Sequence, residues 1–392
     1  MIGVSTAKDI IEQHIERLNP VELSLVEAAG HVLAADNYAS FDIPSFDQSS
    51  MDGYALQYTE SKNSLKVTGE MAAGSSHNLR INYGEAARIF TGAPLPDGTD
   101  TVVMQEKVEL NNGSVLITDT ALVKGANVRL KGAEIKTGAL ALPQQAYLTP
   151  AAIGFLAGIG VARVLVYPMP SVSIIVTGNE LQKPGKALLP GQVYESNSYS
   201  LSTALQQTGI KDITIFYAED DLIVLKNTLQ QALEKSDLVL LTGGVSVGDY
   251  DFVVKAAELC DVKQLFHKVK QKPGKPLYFG MKNQKVIFGL PGNPSSVLSC
   301  FYNYVFLAIQ LLSGKKGGLN TVSAKLTKPY AKAAGLTHFL KGIYNDGFVT
   351  PLSAQESFKL SSFAHADCLI CLEEDHADYS EGALVTVYLL TH

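Results

Sequence analysis

The chain has 392 residues, enough for about two to three domains. It carries 32 Lys and Arg against 38 Asp and Glu, a formal net charge of −6, and only 18% of its residues are charged. This balance argues against a nucleic-acid-binding protein, which needs a basic surface to neutralise phosphates. Its 33 Gly and 16 Pro are ordinary for a globular protein and argue against a disordered or collagen-like chain.

The first predicted element is a helix capped by Thr6, with Ile11, Ile15 and Leu18 on one face. The same segment lacks the apolar core of a signal peptide, so we expect a cytoplasmic location. Residues 40–138 then contain short strand-like runs separated by Gly, Asn and Asp, which predict a β-rich domain: LKVTG, ARIFTG, TVVMQE and GSVLIT.

Residues 137–162 carry no charge, and the string AAIGFLAGIGVARVLVY, which begins within them and runs to residue 167, predicts a helix, a turn and a strand. We interpret 1–39 together with 139–168 as a linking region that makes the subunit contact. Residues 169–317 alternate short apolar strands with helices such as LKNTLQQALEK, which indicates a parallel α/β domain. The strands are SVSIIVT, DITIFYA, DLVLLT, LYFG and KVIFG, and residues 318–392 return to a β pattern.

A second uncharged stretch, Val286 to Gly314, is long enough to span a bilayer. It begins, however, with a strand and the loop GLPGNP. Pro294 suits the first turn of a helix, and Gly314 suits the position just past its end. We therefore predict a buried core helix and no membrane association.

The four cysteines are too few and too scattered for a disulfide framework. Cys368 and Cys371 form a C-x-x-C motif, but it lies in a predicted strand. Residues i and i+3 of a strand point to opposite faces, so we do not expect this pair to bind one metal ion.

Three strands of the predicted parallel sheet end in loops suited to a ligand, because ligands of open α/β sheets bind beyond the carboxyl ends of the strands. SVSIIVT leads to Gly178-Asn179-Glu180, DLVLLT leads to Gly243-Gly244 and on to Asp251, and KVIFG leads to Leu290–Ser296. Glycines allow backbone amides to approach an anion, and the helix beginning at Ser295 and Ser296 would offer free N–H groups to it. The loops together predict an oxyanion site.

The loop Lys272-Pro273-Gly274-Lys275-Pro276 adds two ammonium groups, with Lys268 and Lys270 just upstream. Carboxylates also lie at the strand ends: Glu180, Asp249, Asp251 and either Asp220 or Asp221. A carboxylate about 4 Å from an anion is repelled by about 4 kcal/mol at an effective dielectric constant near 20, so a cation must lie between them. Oxygen ligands beside a phosphate favour Mg²⁺, which predicts metal-assisted chemistry on a phosphate ester or anhydride.

Six strings, in this order, resemble the molybdopterin molybdenumtransferase family, that is, the MoeA proteins and the E domain of gephyrin-type fusions. They are Ser49–Ala55 (SSMDGYA), Phe90–Pro96 (FTGAPLP), Thr177–Leu181 (TGNEL), Thr242–Asp251, Lys272–Pro276 and Leu290–Pro294. The resemblance implies a multidomain α/β fold. Its central parallel α/β domain would be MogA-like, flanked by a β-rich domain, an elongated linking domain and a C-terminal β-barrel-like domain.

The same resemblance implies an enzyme that inserts molybdate into adenylylated molybdopterin and releases AMP and molybdenum cofactor, with Mg²⁺ as the metal. It implies a homodimer, with proteins of molybdopterin synthesis and molybdoenzymes as further candidate partners. The substrate's ene-dithiolate supplies the sulfur ligands of molybdenum, so no protein cysteine is required. Nothing in the sequence chooses between molybdate and tungstate.

Carried over position by position, the resemblance assigns a role to each matching residue. Asp52 and Thr91 of the β-rich domain would face the partner's α/β domain, and Asp251 and Glu180 would hold Mg²⁺. The acidic and basic members of the site are Glu180, Asp220, Asp251, Lys268, Lys272 and Lys275. The substrate and oxyanion contacts are Gly243, Gly244, Ser246, Pro291, Gly292, Pro294, Ser296, Lys341 and Ser361, with Ser362 as an alternative to Ser361.

Two positions depart from the family pattern. The string T-G-D-E-L has Asn179 in place of its Asp, and F-x-R-G has Lys341 in place of its Arg, which loses a bidentate contact with an oxyanion. Two other functions stay open at this point. A molybdopterin adenylyltransferase shares the Gly-Gly-x-Ser and P-G-N-P loops but is usually half this length, and a non-catalytic dimeric scaffold would resemble gephyrin.

Overall fold

The computed structural model describes residues 1–75, 77–244 and 252–390. The chain divides into two compact units. One comprises Met1–Glu22, Gly30–Ala34 and the chain from Leu165 onwards, and the other comprises Leu23–Ala29 and Ala35–Val164. The chain passes between the units four times, and two of these passages lie within the strands Val21–Ser24 and Arg163–Tyr167. The strand Val32–Leu33 pairs antiparallel with the end of Arg163–Tyr167.

The smaller unit contains a six-stranded sheet whose apolar side chains form its core. In spatial order its strands are Thr101–Met104, Gly53–Leu56, Glu85–Ile89, Ser64–Met71, Ser114–Ile117 and Val108–Asn111. The predicted β-rich domain is confirmed, since all four predicted runs form strands of this sheet. Shorter elements complete the unit: the strand pairs Gln48–Ser49 with Val128–Arg129 and Asn37–Tyr38 with Leu140–Leu142, the helices Leu25–Ala28 and Pro150–Gly158, and the 3₁₀ turns Tyr58–Glu60 and Gln105–Lys107.

The helix Pro150–Gly158 begins with Pro at its first position, and the Thr149 hydroxyl accepts a hydrogen bond from the Ala152 N–H at 3.1 Å. Only Leu156 within it is buried, so most of this uncharged helix lies at the surface of the unit. The predicted helix, turn and strand are therefore present, but the helix is not packed inside its own unit.

The larger unit contains a six-stranded sheet with helices on both faces. In chain order its strands are β1 (Val172–Thr177), β2 (Ile213–Ala218), β3 (Leu238–Thr242), β4 (Lys263–His267), β5 (Tyr278–Lys282) and β6 (Lys285–Leu290), and their spatial order is β2-β1-β3-β6-β5-β4. The five strands read from the sequence are all present, and β4 is an additional one.

The predicted parallel α/β sheet is confirmed for four strands, and the fifth predicted strand, β5, departs from it. Strands β2, β1, β3 and β6 are parallel, but β5 pairs antiparallel with β6, and β4 pairs antiparallel with β5. The physical reason is the two-residue turn Asn283-Gln284, which is too short for a crossover and joins β5 to β6 as a hairpin. The beginning of β5 therefore lies at the edge where the parallel strands end.

Two apolar clusters sandwich this sheet. Helices Leu222–Lys235 and Phe252–Leu259 cover one face, and Val4–His14, Asn197–Gln207 and the long helix Pro294–Leu312 cover the other. The helix Pro294–Leu312 is α-helical at both ends, with a π-helical turn at Phe301–Val305. Its length of 19 residues and its composition would allow it to cross a membrane, but 78% of its most apolar window is buried against the fold. The predicted core helix is confirmed.

The C-terminal strands form a closed five-stranded barrel: Thr321–Leu326, Thr337–Asn345, Phe348–Pro351, Cys368–Leu372 and Leu384–Leu389. The short strand Gln271–Lys272 of the α/β region adds to it, pairing in parallel with Thr337–His338. Minor elements of this larger unit are the strand pairs Leu181–Gln182 with Val193–Tyr194 and Tyr330–Ala331 with Asp378–Tyr379, and the 3₁₀ turn Phe363–His365.

The N-terminal helix begins earlier than predicted. It spans Val4–His14 with Gly3 as its N-cap, so Thr6 lies inside the first turn and is not the cap. Ala7 and Ile11 are its buried residues, and Ile15 and Leu18 follow the helix but still contact the same apolar cluster.

Candidate functional site

The carboxyl ends of β1, β3 and β6 form a cleft of about 320 Å³ in the larger unit. The parallel register places these strand ends side by side, as the sequence predicts. Six predicted site residues line this cleft together: Glu180, Asp220, Gly243, Gly244, Pro291 and Gly292. Thr177, Gly178, Pro276 and Asn293 complete its lining.

The lysine loop reaches this edge because it immediately precedes the antiparallel strand β5. Pro276 lines the cleft, whereas Lys272 and Lys275 are exposed to solvent and no described carboxylate pairs with them. The Lys270 ammonium instead lies 2.7 Å from a Glu374 carboxylate oxygen, so its charge is already neutralised.

Lys268, at the upstream end of the same loop, has a backbone φ of +71°, a conformation that is costly for a residue with a side chain. Its N–H donates to the Leu277 carbonyl at 3.0 Å, and its own carbonyl accepts from Ile2 N–H at 3.2 Å. Local pairing on both sides therefore fixes the backbone of this predicted catalytic lysine.

The structure distinguishes between Asp220 and Asp221, the two aspartates between which the sequence could not choose. Both backbone N–H groups of Ile223 and Val224 donate to Asp221 Oδ1 at 2.9 Å, so Asp221 is the N-cap of the helix Leu222–Lys235. Asp220 lines the cleft instead. Asp220 is therefore the aspartate of this pair that can meet a ligand in the cleft.

Asn179, the departure from T-G-D-E-L, hydrogen-bonds to Asp220. The Asn179 N–H donates to Asp220 Oδ2 at 3.4 Å, and the Asp220 N–H donates to Asn179 Oδ1 at 3.3 Å. A carboxylate at position 179 would add a second negative charge beside Asp220, whereas the neutral amide joins the two strand-end loops without repulsion.

Gly243 is a glycine because its neighbour leaves no room for a side chain. Its φ is +86°, and an added Cβ would lie 2.7 Å from Thr177 Oγ1 and 2.8 Å from the Thr177 carbonyl oxygen. The backbone at the end of β3 is thus in direct contact with the end of β1. This contact leaves little space between the two loops that follow these strands.

The helix that begins at Pro294 does not offer the free N–H groups predicted from the sequence. The Ser295 N–H donates to the Ser357 carbonyl at 3.1 Å, and the Ser296 N–H donates to the Asn293 carbonyl at 3.0 Å. Both serines are buried, with Ser296 only 2% exposed. The C-terminal barrel region occupies the helix N-terminus, so the expected oxyanion contact through Ser295 and Ser296 is wrong for this conformation.

Lys341 is also placed differently from the expectation. It is 1% exposed, and its ammonium donates to Ser295 Oγ at 3.1 Å and to the carbonyls of Ala354 and Lys359 at 2.9 and 3.2 Å. Burial lowers the pKa of this ammonium. Because an ammonium has only three N–H groups, none remains for an oxyanion. Lys341 joins the barrel to the start of the core helix and does not line the cleft.

Of the two candidate serines near the barrel, Ser362 is buried and its hydroxyl donates to the Ala354 carbonyl at 2.7 Å. Ser361 is exposed. The exposed hydroxyl is the one that can reach a ligand, which favours Ser361.

Sequence reasoning missed two residues beside the cleft. The Asn197 side-chain amide donates to the Gly292 carbonyl at 2.9 Å and so anchors the P-G-N-P loop. Glu195 is 3% exposed and accepts hydrogen bonds from Ser198 N–H at 2.7 Å and Ser198 Oγ at 2.6 Å, which fixes the start of the helix Asn197–Gln207. The string Glu195-Ser196-Asn197-Ser198 was the available signal, since such residues mark helix starts.

Glu195 also lines a second cavity of about 530 Å³, which shares Gly178 with the cleft. Lys183 and Lys186 lie along it, and the Lys183 ammonium is 4.8 Å from the centre of the Tyr217 ring, which also contributes to the wall. The cavity therefore combines two lysines, the carboxylates Glu195 and Glu219, and an aromatic face next to the cleft.

In the smaller unit, Asp52 and Thr91 contact each other as two exposed residues. Both the Thr91 N–H and its hydroxyl donate to Asp52 Oδ1, at 2.8 and 2.9 Å. These two hydrogen bonds hold the pKa of Asp52 below its usual value, and the one from the backbone N–H has the larger effect. Arg88 lies nearby, its guanidinium over the Tyr54 and Phe90 rings, and it was not found from the sequence. Asp52 is thus fixed as an anion.

Ser246 and Asp251, with Asp249, lie outside the described residues. Within residues 1–75, 77–244 and 252–390, no group of three or more His, Cys, Asp and Glu side chains is arranged to hold a metal ion. Glu180 and Asp220 nevertheless share the cleft, and Mg²⁺ is commonly held by one or two carboxylates together with substrate phosphates and water. The described donors therefore fit Mg²⁺.

Cys368 and Cys371 lie in a strand, as predicted, and both are buried and free. Cys368 packs into the barrel core, while Cys371 lies near Lys8 and Tyr388 on the opposite face. Burial raises the pKa of both thiols, that of Cys371 to about 12. Neither thiol is set up as a nucleophile.

Three family models match the chain in order: MoeA N-terminal region (domain I and II) over residues 2–160, probable molybdopterin binding domain over 173–310, and MoeA C-terminal region (domain IV) over 323–390. Relatives named molybdopterin molybdenumtransferase are 36% identical in Haemophilus influenzae, with 94% of each chain covered, and 35% identical in Nostoc sp., with 94% of this chain and 88% of the relative covered. Another of that name, from Staphylococcus aureus, is 32% identical over 99% of this chain and 95% of its own.

Solved structures of the molybdopterin biosynthesis MoeA protein from Pyrococcus horikoshii have a similar fold over nearly the whole chain. One has a TM-score of 0.85 at 30% identity with 99% of each chain covered, and another has a TM-score of 0.82 at 27% identity with both chains fully covered. The likeness covers nearly the whole chain and is not confined to one domain.

Proposed function

The chain belongs to the molybdopterin molybdenumtransferase family, and from that premise we propose that it inserts molybdate into adenylylated molybdopterin and releases AMP and molybdenum cofactor. Membership makes it a transferase of molybdenum cofactor biosynthesis. The adenylylated substrate, the release of AMP and the need for Mg²⁺ are the parts that we propose.

The observation that carries the proposal is the cleft at the ends of β1, β3 and β6. It gathers two carboxylates, Glu180 and Asp220, with glycine backbone at Gly243 and Gly244, beside a loop that carries two exposed lysines, Lys272 and Lys275. Molybdate and a phosphoanhydride are both anions. Each would be repelled by about 4 kcal/mol from a carboxylate about 4 Å away at an effective dielectric constant near 20, so carboxylates in an anion site imply a bridging cation.

We assign Glu180 and Asp220 to Mg²⁺, with Asp251 as a further ligand that stays a prediction. When bound, Mg²⁺ supplies positive charge to the phosphoanhydride oxygens. Lys272 and Lys275 attract and orient the same anions, and the amides of Gly243 and Gly244 can approach them closely because no Cβ intervenes. Lys268 and Ser246 stay predicted members of the site.

We assign the neighbouring cavity to the part of the substrate that does not react. The substrate carries a planar heterocycle at each end, and the Tyr217 ring with Lys183 and Lys186 offers an aromatic face and two ammonium groups beside the cleft. Gly178 lines both spaces, so the cavity adjoins the cleft, which suits one long substrate molecule.

We also propose a homodimer in which Asp52 and Thr91 complete the site of the other subunit. The support is that Asp52 is held as an exposed anion by Thr91, and that the uncharged helix Pro150–Gly158 has only Leu156 buried. Four predictions stay untested: the cytoplasmic location, the further partners, the division of the chain at residues 39, 138, 168 and 317, and the loop-shaping role of Pro291 and Pro294.

A complementation experiment tests the shared site. Asp52→Asn and Asp220→Asn variants should each be inactive, and subunit exchange between them should restore about a quarter of wild-type activity, since half of the dimers are mixed and one of their two sites is intact. No recovery, with subunit exchange verified by mass, would show that each site is built from one subunit.

The reaction itself is tested by supplying adenylylated molybdopterin and molybdate, with and without Mg²⁺, and measuring AMP. We expect release only when both molybdate and Mg²⁺ are present. Asp220→Asn should abolish release, whereas the matched variant Asp221→Asn should retain it with little loss of stability, because Asn and Asp are equally good helix N-caps. Adenylylation of molybdopterin from ATP would instead identify an adenylyltransferase.

A further inference from the structure

The lysine loop is attached to the core by a buried polar side chain at its start. Gln271 is fully buried and immediately precedes Lys272. Its side-chain amide donates to the Gly274 carbonyl at 2.9 Å and lies 3.5 Å from Cys300 Sγ. One side chain therefore holds the chain on both sides of Lys272 and Pro273.

Two residues of the core helix complete this arrangement. The Tyr304 hydroxyl donates to Gln271 Oε1, and Cys300 Sγ lies 3.7 Å from the Gly274 carbonyl oxygen. Tyr304 and Cys300 are both fully buried on the helix Pro294–Leu312, one turn apart. This helix begins directly after Gly292 and Asn293, which line the cleft. The network thus connects the lysine loop to the helix whose first residues border the site.

At Gly274 there is no room for a side chain between the loop and the core helix. Its φ is +85°, and an added Cβ would lie 2.5 Å from Cys300 Sγ and 3.0 Å from Gln271 Nε2. The Val269 N–H also donates to the Lys275 carbonyl at 3.0 Å, which closes the loop across its base. Contacts with the buried core therefore fix the backbone at Lys272 and Lys275, while both side chains are exposed to solvent.

A contribution to stability does not by itself explain why the polar side chains of Gln271, Cys300 and Tyr304 are buried here. They are surrounded by an apolar cluster that includes Phe301, Val305 and Leu277, where a well-packed apolar group needs no hydrogen-bond partner. A buried hydrogen bond contributes only about 1 kcal/mol net to stability, whereas its directionality selects one arrangement of the groups that it joins. The selected arrangement here is that of the loop carrying Lys272 and Lys275.

We propose that Gln271, Cys300 and Tyr304 are positioning residues that set the location of Lys272 and Lys275 at the cleft. The proposal rests on the proposed function for the role of the two lysines, but the geometry of the loop can be measured without it. We refer to these three residues as the loop brace.

Tyr304→Phe is the direct test, because it removes one hydroxyl and leaves the ring. Lysines that bind the substrate's oxyanions do so both before and during reaction, so their displacement should raise KM for adenylylated molybdopterin about tenfold with little change in kcat. The matched control is Tyr302→Phe on the same helix. The Tyr302 ring stacks on Phe363, and its hydroxyl has no hydrogen-bond partner among the described residues.

A double-mutant cycle separates positioning from general destabilisation. If the brace acts through Lys272 and Lys275, then Tyr304→Phe should change KM by less than twofold when Lys272→Ala and Lys275→Ala are both already present. Equal effects of Tyr304→Phe with and without the two lysines would overturn the proposal. So would a change in KM in Tyr302→Phe as large as that in Tyr304→Phe.

Amide hydrogen exchange across residues 272–277 supplies a readout that does not depend on activity. Gln271→Leu and Tyr304→Phe should each speed exchange in this segment at least tenfold while leaving exchange in β1 and β3 unchanged. Unchanged exchange in both variants would refute the brace even if the enzyme is active. If the wild-type protein releases no AMP but the two variants show these exchange changes, the proposed function is refuted and the brace is supported.

Discussion

Replacing Gly243 by Ala should both destabilise the protein and disturb the cleft. At φ +86° an alanine adopts the left-handed conformation, and its Cβ would lie 2.7–2.8 Å from the side-chain oxygen and carbonyl oxygen of Thr177. The conformation costs about 1–2 kcal/mol, and the overlap with fixed backbone adds about as much, for a total of about 2–4 kcal/mol.

Gly185→Ala is the matched control. Gly185 has nearly the same φ, +87°, but no heavy atom lies within 4 Å of an added Cβ. Gly185→Ala should therefore lose only the conformational part, about 1–2 kcal/mol. Urea unfolding of both variants measures the difference, which isolates the contact between the ends of β1 and β3.

AMP release then links this contact to function. Because the Cβ overlap is relieved by moving the Gly243-Gly244 loop, Gly243→Ala should reduce kcat/KM about a hundredfold under conditions where it is fully folded. Gly185→Ala should retain wild-type activity. Equal losses of stability in the two variants, or full activity in Gly243→Ala, would refute the argument that the two strand ends are held at backbone distance.

Two further predictions concern buried basic groups. Lys341→Met keeps the apolar stem of the side chain but leaves three hydrogen-bond acceptors without their donor, so it should lower the free energy of unfolding by about 2–3 kcal/mol. It should change KM for molybdate by less than twofold. A large rise in KM without loss of stability would restore Lys341 as an oxyanion contact. Burial, and to a lesser extent the nearby charges of Lys272 and Lys332, lower the pKa of His338 to about 4. Between about pH 4 and pH 6.5 the imidazole is therefore neutral in the folded state but protonated in the unfolded state. Stability should therefore rise by about 3 kcal/mol between pH 4 and pH 6.5, and His338→Gln should flatten this rise in urea titrations; an unchanged slope would contradict it.

The strands, the β-rich unit and the cleft could be predicted from the sequence because they follow from local pattern. Apolar runs such as VSIIVT and LVLLT are buried throughout, and parallel pairing forces their ends to one edge. Glu180, Asp220, Gly243 and Pro291 came together for that reason.

What the sequence could not predict depends on contacts between distant segments. Ser357 and Lys341 occupy the start of the core helix, and they come from a barrel more than 40 residues further along the chain. The direction of β5 was missed because a continuous apolar run reads the same in a parallel or an antiparallel strand. Gln271 and Tyr304 are 33 residues apart, so no local pattern connects them.

The stoichiometry of the reaction tests the central claim most directly. Adenylylated molybdopterin and molybdate are incubated with the wild-type protein and Mg²⁺, and AMP released is compared with molybdenum retained on the pterin product after separation. The proposed function predicts one AMP for each molybdenum inserted, with neither formed when molybdate is omitted. AMP released without molybdenum insertion, or molybdenum inserted without AMP, would contradict it.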